Sequence, residues 1–130
     1  MTQAQTHLQT DPSLVGEVVS LQAGSATAQL LTTQAMAVDA QGLVHGGFIF
    51  GLADYAAMLA VNHPNVVLGS AEVRFVAPVG VDCLLIAQAT LLHEKGKKRV
   101  VEVSVRSDEH EIFAGSFTCF VLEQHVMENQ

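Results

Sequence analysis

The stretch that decides the fold is Val44-His45-Gly46-Gly47-Phe48-Ile49-Phe50-Gly51-Leu52-Ala53-Asp54-Tyr55-Ala56-Ala57-Met58-Leu59-Ala60-Val61-Asn62. Its apolar residues run almost all the way round a helical wheel, which marks a helix covered on most sides rather than a surface helix. At about 100° per residue, Ile49, Leu52, Ala53, Ala56, Leu59 and Ala60 fall on one side, while Gly47, Gly51, Asp54 and Met58 line up opposite. Asp54 therefore points away from the main packing face. A carboxylate in so apolar a helix loses solvation unless it is paired, hydrated or neutralised. It acts either as a general base or nucleophile in a dry pocket, with Gly47 and Gly51 admitting a ligand or a partner's backbone, or as a capping group at a solvated edge. His45-Gly46-Gly47 tilts the choice toward chemistry, because free N–H groups and the positive end of the helix dipole suit a developing oxyanion.

Outward from the helix, Asn62-His63-Pro64-Asn65 ends it, since proline forces the preceding residue out of the helical region. Four strands are expected beyond: Val66 to Ala77, the nearly all-apolar and therefore central Asp82 to Leu92, a third in which Val101, Val103 and Val105 alternate with Glu102, Ser104 and Arg106, and Ile112 to Leu122. The charged connectors Glu94 to Arg99 and Ser107 to Glu111 read as hairpin turns. Upstream, Leu14 to Leu21 and Ser25 to Leu31 flank the turn Ala23-Gly24 as a hairpin, and Thr32 to Val44 forms an irregular loop placed to line a pocket. Residues 1–13 read as a flexible tail, 14–124 as one domain and 125–130 as a C-terminal tail. Two strands, one apolar helix and four strands in hairpin succession make an α+β domain whose antiparallel sheet curls round the helix, with a second subunit covering much of the remainder.

A chain of 130 residues suits a single domain. Its net charge of −7 argues against nucleic-acid binding, which needs a basic surface. Cys83 and Cys119 lie in apolar, strand-like runs without metal-ligand spacing and read as free thiols of a reducing cytoplasm. His63, His93, His110 and His125 do not cluster, so no metal site is expected. The first residues lack the features of a secretory signal, and Phe48 to Val61 is too short for a membrane span, so the expectation is a cytoplasmic protein without membrane association.

The order of elements, His45-Gly46-Gly47 followed after four residues by Leu52-Ala53-Asp54, and the Phe75-Val76-Ala77-Pro78-Val79-Gly80 segment together resemble the hotdog-fold acyl-CoA thioesterases, particularly the PaaI-like branch, from about Leu14 to Leu122. The resemblance implies a hotdog fold, hydrolysis of an acyl-CoA thioester, no cofactor beyond the coenzyme A of the substrate, and a homodimer or homotetramer. It makes Asp54 the base or nucleophile, Gly46 the donor whose N–H polarises the thioester carbonyl from another subunit, and His45, with Gly47 beside it, the residue that shapes the loop. It brings Lys95, Lys97, Lys98, Arg99 and Arg74 toward the coenzyme A phosphates, and Phe48, Tyr55 and Met58 toward the substrate. Two departures stand out: Asp39 where relatives place Asn or Gln, adding charge near Asp54, and Met58 where some carry a hydroxyl, with Ser70 as a substitute. Ser70-Ala71-Glu72-Val73-Arg74-Phe75 and Lys98-Arg99-Val100-Val101-Glu102-Val103 also resemble the effector domain of the repressor FapR, which implies an alternative, an acyl-CoA sensor or scaffold without turnover.

Overall fold

The computed structural model describes residues 2–129; Met1 and Gln130, the outermost residues of the two expected tails, lie outside the described residues. Six antiparallel strands, β1 (Glu17–Gln22), β2 (Ser25–Leu31), β3 (Val66–Phe75), β4 (Leu84–Lys95), β5 (Lys98–Ser107) and β6 (His110–Val121), form one curved sheet around the long helix α2 (Gly46–Val61). A single turn of helix, α1 (Pro12–Val15), precedes β1.

Local patterning accounts for each element. In β5, Val101, Val103 and Val105 are buried against the helix while Glu102, Ser104 and Arg106 face out, as a period of two requires. Ala26 and Ala28 of β2 and Ala87 and Ala89 of β4 are buried too, and residues this small let α2 lie close to the sheet. The helix buries Ile49, Leu52, Ala53, Ala56, Leu59 and Ala60, the face expected from the wheel. Asn62, in the left-handed region at φ 52°, ends α2, its N–H bonded to Met58 O.

The strand order is β1-β2-β4-β5-β6-β3, so the four later strands are not a simple hairpin succession. β3 leaves the helix at the far edge and pairs with β6, while β4 returns to pair with β2. Residues 76–83 must cross the end of the sheet, and they build the floor beneath the helix start: Val44 N–H bonds to Val79 O at 2.8 Å and Val81 N–H to Gly42 O at 3.0 Å. Thr32, fully buried, pins the crossing by donating to Gly80 O at 2.8 Å and accepting the Cys83 N–H at 2.8 Å.

The segment read as a flexible N-terminal tail makes defined contacts. The Asn62 side-chain amide accepts from Gln5 N–H at 2.7 Å and donates to Gln3 O at 2.9 Å, and Thr2 N–H reaches Leu21 O on β1. Near the C-terminus, Val126–Asn129 form a 3-10 turn.

Candidate functional site

His45 caps α2. Its Nδ1 accepts the Gly47 N–H at 3.1 Å, which leaves the ring proton on Nε2, and its ring meets Phe48 edge-on with centroids 6.1 Å apart. The Gly47 amide is thus engaged, whereas Gly46, at the first helical position, has no intrahelical acceptor for its N–H. The Phe75 ring lies over Gly46, so close that a β-carbon there would stand 3.1 Å from Phe75 Cε1. Phe75 stacks edge-on against Phe113 at 5.1 Å and still leaves about half its surface exposed (54%).

Asp54 is half-buried, and its Oδ1 is buried without a hydrogen-bond partner. Burial pushes its carboxyl from 3.8 up to about 6. Across from it on β6, burial first and the charge of Asp54 second push the Cys119 thiol up to about 12, so the Cys119 sulfur stays protonated. The side of α2 carrying Gly47, Gly51 and Asp54 is open: Gly47 is exposed, and a β-carbon on Gly51 would meet nothing within 4 Å.

Gly46 and Asp54 do not meet within one chain. They stand eight residues apart on a single helix, about 12 Å along its axis.

The other expected residues separate. Asp39 is exposed, and its Oδ1 accepts the N–H of Gln41 at 3.0 Å and of Leu43 at 3.2 Å, so it organises its own turn, and burial alone accounts for the rise at Asp54. Met58, expected beside Asp54 on the open side, is buried at 1% exposure, and every residue of α2 from Tyr55 to Ala60 is buried with it. Ser70 pairs with Thr118 on the outer face, opposite to the buried Phe117 and Cys119. Lys95, Lys97 and Lys98 are exposed at a hairpin tip whose Lys98 pairs with Phe120, near the C-terminal end of α2 and away from Gly46. Arg99 is held by Glu94 Oε1 at 3.0 Å and Gly96 O at 2.7 Å.

Tyr55 turns instead toward the N-terminal segment, lining a cavity of about 220 Å³ with Thr6, His7 and Glu17. Burial, then the charge of Glu17, raises the Tyr55 hydroxyl, and burial lowers His7. A cavity of about 750 Å³ lies on the outer face of the sheet among Glu72, Arg74, Glu102 and Glu111, remote from Asp54. Phe75, which the sequence places as core or acyl-pocket lining, lies over Gly46. Sequence reasoning does not link Cys119 to the site, although alternation sets it in phase with Phe117 on the helix-facing side.

Residues 41–114 match the family model described as Thioesterase superfamily. The chain belongs to the thioesterase superfamily. An uncharacterized protein of Pyrococcus horikoshii is 52% identical over 97% of both chains, with a TM-score of 0.96. The phenylacetic acid degradation protein PaaI of Thermus thermophilus, solved as a variant, is 28% identical over 86% of this chain and 100% of its own, with a TM-score of 0.78. Among curated proteins, the methylthioribose-1-phosphate isomerase of Aquifex aeolicus is 47% identical over 91% of this chain, and the transcription factor FapR of Caldanaerobacter subterraneus 27% over 90%. The chain spans only 26% of that isomerase and 59% of that FapR. Thioesterase-superfamily membership agrees with the hotdog architecture described above, and no helix among the described residues is long and apolar enough to cross a membrane.

Proposed function

We propose that the protein hydrolyses an acyl-CoA thioester, with Asp54 activating water or attacking the thioester carbon. The observation that carries this reading is the Asp54 carboxyl, half-buried, unpaired at Oδ1 and held near 6 by burial. A group with that affinity is mostly ionised at neutral pH yet basic enough to accept a proton. The Gly46 N–H, the free donor at the start of a 16-residue helix, polarises the carbonyl and receives the oxyanion. Because one chain keeps Gly46 and Asp54 apart, each site takes its donor from one copy and its carboxylate from another, in a homodimer. Coenzyme A enters as part of the substrate, its phosphates meeting the exposed Lys95, Lys97 and Lys98 beyond the C-terminal end of α2.

The second reading, an acyl-CoA sensor, draws support from the FapR similarity and from Asp39, whose carboxylate is spent on its own turn rather than on a nucleophilic water. The isomerase similarity supports no isomerase reading, since it covers a quarter of that protein. The deciding experiment is thiol release from short, long and aromatic acyl-CoAs by the parent and Asp54→Asn, with binding measured in parallel. Turnover that the variant loses supports the hydrolase. Tight binding without turnover in the parent refutes it and supports the sensor.

A further inference from the structure

The cavity of about 220 Å³ beside Tyr55 lies behind the N-terminal segment. Tyr55 follows Asp54 directly, so its side chain leaves α2 about 100° round the helix from the carboxylate. The segment is tied down on both sides: Thr2 N–H bonds to Leu21 O on β1, and Asn62, at the end of α2, holds Gln3 O and Gln5 N–H. His7, in the left-handed region at φ 56°, turns the chain there. Its ring meets the Tyr55 ring with centroids 6.4 Å apart and planes at 51°, so the two rings form a corner.

Tyr55 is more than nine-tenths buried, at 8% exposure, yet its hydroxyl has no hydrogen-bond partner among the described residues. Nor is that hydroxyl sealed in the core, since Asp54 Oδ1 is the one buried side-chain oxygen or nitrogen left unpartnered among the described residues. It therefore opens into the cavity that Tyr55 lines. Glu17, on the same wall, gives Oε1 to the Gln29 amide at 2.9 Å and keeps Oε2 free, and its charge is felt at the Tyr55 hydroxyl. The Thr6 hydroxyl engages His7 Nδ1 at 2.8 Å, and burial lowers the proton affinity of the ring, so His7 is neutral at pH 7. No lysine or arginine stands among the lining residues, so Glu17 leaves the cavity with one uncompensated negative charge.

These features select a ligand. Glu17 repels an anion, and a purely apolar molecule would leave the Tyr55 hydroxyl and Glu17 Oε2 without partners. An organic ammonium satisfies both, donating N–H groups to the two oxygens with its charge against the Tyr55 ring. Its alkyl part then lies along Leu8, Pro12 and Val18. At about 30 Å³ for each water of liquid, the space suits a molecule of about five to seven heavy atoms. We propose that this cavity is a binding site for a small primary ammonium ion, separate from the Asp54 site, with Tyr55 and Glu17 as its acceptors.

Tyr55 is the only tyrosine of a chain without tryptophan, so intrinsic tyrosine fluorescence reports on the site directly. The test titrates the full chain with n-butylammonium at pH 7 and low ionic strength, with 1-butanol and butyrate as probes of similar size. Butylammonium should change the fluorescence saturably in the millimolar range, with both other probes at least about tenfold weaker. By calorimetry, the conservative and exposed Glu17→Gln should weaken binding about tenfold or more, Tyr55→Phe should weaken it several-fold, and Asp54→Asn should bind as the parent does. Absence of saturable binding, equal binding of butanol or butyrate, or an unchanged affinity in Glu17→Gln would overturn the proposal. Binding lost in Asp54→Asn would overturn it too, by placing the ammonium at the other carboxylate. None of these readouts needs thiol release, so the ammonium site stands or falls apart from the hydrolase reading.

Discussion

Replacing Asp54 by Asn removes a buried negative charge while keeping shape and volume, and its effect on stability should depend on pH in a way worked directly from the site. In the folded chain burial holds the Asp54 carboxyl at about 6 against 3.8 when exposed. Each decade of proton affinity corresponds to about 1.4 kcal/mol, so the ionised group opposes folding by about 2–3 kcal/mol. Below 3.8 the carboxyl is protonated in both folded and unfolded chains, and the penalty is absent. As pH rises the unfolded chain releases its proton first, stability falls, and the penalty is complete above about 6. Urea denaturation at fixed protein concentration should therefore show Asp54→Asn within about 0.5 kcal/mol of the parent at pH 3.5, and about 2–3 kcal/mol more stable at pH 8. A stability difference of the same size at both pH values, or a variant less stable than the parent at pH 8, would refute the burial argument.

The same carboxyl sets the expected rate profile. If ionised Asp54 takes a proton or attacks, kcat/KM should rise through pH 6 and fall about tenfold per pH unit well below it, and a flat profile between pH 5 and 7 removes Asp54 as the base. Gly51→Ala probes the open side of α2. With nothing within 4 Å of the added methyl group, helix propensity should raise the stability of the chain by up to about 1 kcal/mol, while thiol release falls because the methyl intrudes where substrate and second copy approach. Unchanged turnover in that variant would show that neither comes close to Gly51.

Much of this molecule was legible along the chain. The wheel of α2, the alternation of Val101, Val103 and Val105, and the isolated Asp54 are properties of windows a few residues long, and local backbone periods of 3.6 and 2 read them without knowledge of the rest. They determined one buried helix, a curled antiparallel sheet and a carboxylate in the wrong surroundings for a mere surface group. Tertiary structure alone decided that β3 lies at the far edge beside β6, because strand order depends on where residues 76–83 cross, and no local period encodes a crossing. It also decided that Met58 is covered and Asp39 folds back on its own loop, since burial and hydrogen bonding depend on what distant segments bring near. The separation of Gly46 from Asp54 follows from helix geometry once both are known to lie on one helix. That His45 takes up the Gly47 amide and leaves Gly46 free rests on the direction of one side chain, which spacing along the chain does not specify.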